Sequence, residues 1–195
     1  VTLSLHTLRA VCYLFIVSAF YGYVTDAAYV YQTSPLAGVS DLCALVGQNW
    51  SYATTFGEYV EITASNCASL THLDAFVRFD GVAAVVDEPG LAAIHFLAMV
   101  DVANAGVWLL VVLLLETDVR LQEKNRFEGL ALYLSTVAKV ILYSILAFAV
   151  VAWMVTGDFV DWWDAFLWLV AFVFIELNVV EWRQESHEEE AVIAD

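Results

Sequence analysis

Four long apolar stretches interrupt an otherwise polar chain, at roughly 11–31, 91–115, 130–155 and 159–180. Each reaches the ~20 apolar residues that a helix needs to cross a bilayer. The pattern predicts an all-α integral membrane protein, a four-transmembrane-helix bundle with a folded extracytoplasmic loop between helices 1 and 2. The last two runs are joined by the short break TGDFVD, with Lys139 inside one and Glu176 inside the other. One membrane domain is expected over 1–182, followed by an acidic, aperiodic tail at 183–195.

The loop between the first two runs, 32–90, is too long for a simple connector. Within it GEYVEIT (57–63) alternates like a short strand. Leu70, Leu73, Phe76, Val77 and Val85 recur at near-helical spacing, which predicts a helix lying on the membrane face or on the loop's own small core. Cys43 and Cys67 share this loop, and their expected disulfide closes about 25 residues, roughly 3 kcal/mol in the chain-entropy account. Asn49-Trp50-Ser51 fits the N-glycosylation pattern, which makes Asn49 a candidate acceptor.

The bases set an orientation. Arg9, Arg120, Lys124, Arg126 and Arg183 fall on one side and Arg78 alone on the other, so both termini are expected on the cytoplasmic or equivalent side. Tyr21, Tyr23, Tyr29 and Tyr31, and Trp162, Trp163 and Trp168 in the fourth run, mark outer ends as interfacial anchors. The first run has no small-residue cleavage site and is expected to persist as a span. A plasma-membrane or secretory-pathway location is favoured over an organelle membrane.

Composition agrees: the chain is 62% hydrophobic, whereas soluble domains are nearer half. A net charge of −16 excludes nucleic acid as a partner. The lipid bilayer and other membrane subunits remain.

Charged groups inside the apolar runs cost several kcal/mol unless paired or wet, so each needs a reason. Counting about 1.5 Å per residue puts Lys139 and Asp101 near mid-bilayer, with Asn104 on the Asp101 face. Glu176 and Asn178 fall in the inner half of the fourth run. These five residues form the expected intramembrane charge network. Its structural reading is an internal charge pair fixing helix order; its functional reading is an ion or proton path. One lysine and two acids are sparse for transport, and no inverted repeat marks a substrate site.

No Cys/His cluster has metal spacing, no phosphate loop is present, and no Ser/His/Asp set falls at one depth, so neither an enzyme nor a metal site is expected. No cofactor beyond lipid is implied. His95 as a pigment ligand is the residual option, against the commoner hydrogen-bonded helix histidine.

Four spans with both ends inside, a large cysteine-bearing first outer loop and a very short second one resemble the claudin-like tetraspan superfamily at the level of topology. Trp50, Cys43 and Cys67 stand for that group's Trp-and-two-Cys loop pattern, although Trp50 lies between the cysteines instead of before them. The resemblance implies an adhesion, barrier or channel-auxiliary role. The expected function is a non-catalytic structural or accessory subunit of a larger membrane complex. The alternatives are a small ion or proton channel or transporter using Asp101, Lys139 and Glu176, and a pigment- or quinone-binding subunit.

Overall fold

Helix α1 spans Thr2–Val30 and helix α2 spans Glu88–Glu123, and the chain between them folds into a β-sheet. In this computed structural model residues 2–71, 73–124, 127–156 and 159–175 are described, with backbone alone for 2–6. Helix α3 follows at Leu130–Thr156, and a helical segment α4 covers 159–175. Three helices, α1, α2 and α3, are long and apolar enough to cross a membrane. At 29, 36 and 27 residues they measure about 44, 54 and 40 Å, more than the ~30 Å hydrocarbon core.

The expected all-α, four-span bundle is therefore corrected in two respects. A five-stranded mixed sheet stands between α1 and α2, and the helices that meet the length and hydropathy needed for a span number three among the described residues. The strands are β1 (Thr33–Pro35), β2 (Ser51–Thr55), β3 (Glu58–Glu61), β4 (Phe76–Phe79) and β5 (Ala84–Asp87), in the spatial order β1-β4-β5-β2-β3. All neighbours are antiparallel except β5 and β2, which run parallel.

The helix expected between 69 and 86 is also corrected, to the β4–β5 hairpin. The reason is local. Asp80-Gly81 lies inside that stretch, and Gly81 takes φ 87°, a left-handed conformation that reverses the chain. Phe76–Phe79 and Ala84–Asp87 then pair with each other, Val77 opposite Val86 and Arg78 opposite Val85. Gly57, at φ 83°, closes the β2–β3 hairpin in the same way. The strand expected within 57–63 is β3.

Alternation along the strands gives the sheet two apolar faces. Ala53, Phe79, Ala84 and Val86 pack on one face against Ala27 and Val30 at the end of α1 and Ile94 and Ala98 near the start of α2. Tyr52, Phe76 and Val85 pack on the other against Leu42, Leu45, Ile62 and Cys67. Phe79, Leu42, Val85 and Val86 are almost completely buried, and each such side chain contributes about 1.5–3 kcal/mol relative to exposure. A 3-10 turn at Leu42–Leu45 and the Cys43–Cys67 disulfide staple the second face.

The chain divides into two compact units at Leu109/Leu110, partway along α2. In the first, α1 and α2 approach closely at Gly106, where an added Cβ would stand 3.3 Å from the Phe20 ring. In the second, α3 buries Ser135, Leu146, Ala149, Val150, Ala152 and Trp153.

Candidate functional site

A largely enclosed ion pair belongs to the second unit. Lys139 Nζ lies 3.1 Å from Asp118 Oδ2, with 19% and 5% of the two side chains exposed. The Ser135 hydroxyl donates to the same oxygen at 2.6 Å. Ser135 and Lys139 are one turn apart on α3, so they share a helix face and both meet Asp118 on α2. Such a carboxylate is held by a charge and a hydroxyl together, as a buried ion requires. An open apolar groove of about 450 Å³ lies beside it, lined by Leu110, Leu113, Leu114 and Thr117 of α2 and Ala138, Ile141 and Leu142 of α3. The Thr117 hydroxyl is turned back onto the Leu113 carbonyl, 2.7 Å away.

The expected partner of Lys139 lies at its own depth, at Asp101 or Glu176. Two facts defeat depth counting. Side chains on a helix slant toward its N-terminus, and a lysine stem stretches further in that direction. Helix α2 also continues to Glu123, past the apolar run that stops near 115. Asp118 thus lies on the helix although it falls beyond the apolar run. The missed signal is periodicity: Val111 and Asp118 are seven residues apart, and both are buried, at 1% and 4% exposure.

A second polar node sits where the sheet feeds α2. Asp87 Oδ1 accepts the Gly90 N–H at 2.8 Å, which caps the helix at its third residue. Oδ2 accepts the Tyr52 hydroxyl at 2.9 Å and the Thr71 hydroxyl at 2.6 Å. Burial pushes the Asp87 carboxyl up, but the bonds from Thr71, Gly90 and Tyr52 outweigh it and hold its pKa below the ordinary value. For Tyr52, burial first and then the adjacent Asp87 push the phenol up to about 12. Pro89 is tolerated in the first turn because its missing N–H would have no helical partner.

The other expected residues fall as follows. Asp101 is half-buried on α2 in the first unit. Asn104, on the same helix, has its Oδ1 buried without a hydrogen-bond partner. Glu176, Asn178 and the tail at 183–195 lie outside the described residues. His95 Nε2 is 3.0 Å from the Val30 carbonyl at the end of α1, and its ring stacks on Tyr31 with centroids 4.0 Å apart. A terminal helix carbonyl is thereby satisfied. Cys43 and Cys67 are bonded to each other, while Cys12 is free and exposed on α1. Asn49 is exposed in the turn before β2. Among the described residues no group of three or more His, Cys, Asp or Glu could hold a metal. In α4, Phe159, Trp162, Trp163 and Phe166 form one aromatic cluster.

The chain matches no family model, no curated protein and no solved structure.

Proposed function

We propose that this protein is a non-catalytic structural subunit of a larger membrane complex, with α1 as the surface that meets its neighbour. One observation carries the reading: the most apolar window of α1 has none of its residues buried by the rest of the chain. Leu14, Phe15 and Tyr21 are each at least 70% exposed. A helix apolar all round is covered by lipid or by another helix, and the Tyr-rich outer end adds aromatic area of the kind that anchors interfaces.

The paired state of Lys139 supports the structural reading over ion conduction, since its nearby carboxylate and hydroxyl are engaged with one another and with the lysine. In this reading the sheet faces the outer side, away from the basic Arg9 end of α1, and the disulfide favours an oxidising compartment such as the secretory pathway.

A photo-crosslinking residue placed at Leu14 or Phe15, with irradiation in the native membrane, tests this directly. Covalent adducts to a second protein are expected. Adducts to lipid alone at both positions would sink the proposal.

A further inference from the structure

We propose that Asn49 is an N-glycan acceptor, so that the stapled face of the sheet carries an oligosaccharide. Positions 47, 48 and 49 are three successive exposed residues in the turn leading to β2, which leaves room for a bulky sugar. Among the described residues nothing engages the Asn49 carboxamide. Trp50 packs against the stapled core, and Ser51 opens β2 with its N–H on the Ala83 carbonyl at 2.9 Å. The middle of the Asn-Trp-Ser motif is therefore anchored while its acceptor projects outward.

A second, independent feature of the same segment calls for the same compartment. The Cys43–Cys67 disulfide encloses Asn49, and such bonds persist where thiols are oxidised, which is where asparagine-linked sugar is added to secreted and cell-surface chains. The reaction balances without any redox change. Asn49 Nδ2 bonds to the anomeric carbon of a polyisoprenyl-pyrophosphate-linked oligosaccharide, the bond from that carbon to the pyrophosphate oxygen breaks, and the lipid pyrophosphate leaves. The amide proton passes to a base of the transferase.

Asn49 also has a conformational role, because it takes φ 59°, and asparagine tolerates the left-handed region better than most residues. The two roles separate by mutation. Asn49→Gly keeps the turn and removes the acceptor; Ser51→Ala keeps Asn49 and removes the hydroxyl the motif requires.

The proposal rests on the outer placement of the sheet, and the test distinguishes the two. The full chain is produced in a eukaryotic secretory host and extracted in non-ionic detergent. Its intact mass is then compared before and after peptide-N-glycosidase, with the disulfide mapped on non-reduced peptides. The wild-type chain is expected to lose the mass of an oligosaccharide, and both variants are expected to carry none. A wild-type chain with the disulfide but no sugar overturns the proposal and leaves the outer placement standing. A chain with neither overturns both, and sugar that persists in both variants places the modification elsewhere and overturns it as well.

Discussion

Asp87 gathers three donors onto one carboxylate: a hydroxyl from β2, a hydroxyl from the segment after the disulfide, and the first-turn N–H of α2. Asp87→Asn weakens all three and is expected to cost about 1–3 kcal/mol, read as a lower thermal midpoint by near-UV circular dichroism. The pH dependence has a definite sign at each end. The folded carboxyl titrates below its ordinary value, so its contribution is complete above about pH 4 and is lost as pH falls through the folded pKa. Tyr52 titrates at about 12 instead of 10.0. Its contribution is complete below pH 10 and is lost as pH rises toward 12. Melts between pH 2 and 5 should lose most of their acid limb in Asp87→Asn; an unchanged acid limb would assign it to other carboxylates. Gly90 belongs to the same node, because an added Cβ would stand 2.7 Å from Val86 and 2.9 Å from the capping oxygen. Gly90→Ala should therefore destabilise the sheet even though alanine favours helix.

Among the elements, the α2–α3 pair turns on Asp118. Asp118→Asn is expected to destabilise it by about 1–3 kcal/mol, less than for a fully enclosed pair because Lys139 keeps 19% exposure. The double variant Asp118→Leu with Lys139→Met should recover most of the loss, since it removes both charges together. Denaturation of the detergent-solubilised protein measures both, and a double variant no better than the single would argue against a mainly structural pair. At the other end of α2, Cys43→Ala with Cys67→Ala should cost roughly 2–4 kcal/mol.

These elements also show what the residues disclosed and what they withheld. The first three apolar runs, the loop cysteines and the short strand in 57–63 were legible because each carries a local signal: length, compartment chemistry or period-2 alternation. The hairpin at 76–87 was misread because spacing among Leu70, Leu73, Phe76 and Val77 mimics a helix, and the turn at Asp80-Gly81 outweighs it. Asp118 was illegible as a partner because its role depends on a helix that outlasts its hydrophobic stretch. Register between β2 and β5, parallel with Ser51 opposite Ala84 and so 33 residues apart in the chain, has no local signature at all.

For the molecule as a whole, acidity is the pervading feature. The segment 32–90 holds seven acids, Asp41, Glu58, Glu61, Asp74, Asp80, Asp87 and Glu88, against the single base Arg78. Like charges gathered on and around one small sheet repel and weaken its compact state, and salt shortens their reach from about 30 Å at 0.01 M to about 3 Å at 1 M. The sheet's thermal midpoint should rise with sodium chloride across that range in a non-ionic detergent; a fall would show that its ion pairs outweigh its repulsion.

The proposed role rests on α1 having a protein neighbour. Native mass spectrometry of the protein extracted from its own membrane in mild detergent addresses this most directly. A particle heavier than one chain, reproducibly containing a second polypeptide, is the predicted result. A particle holding one chain and lipid alone would contradict it.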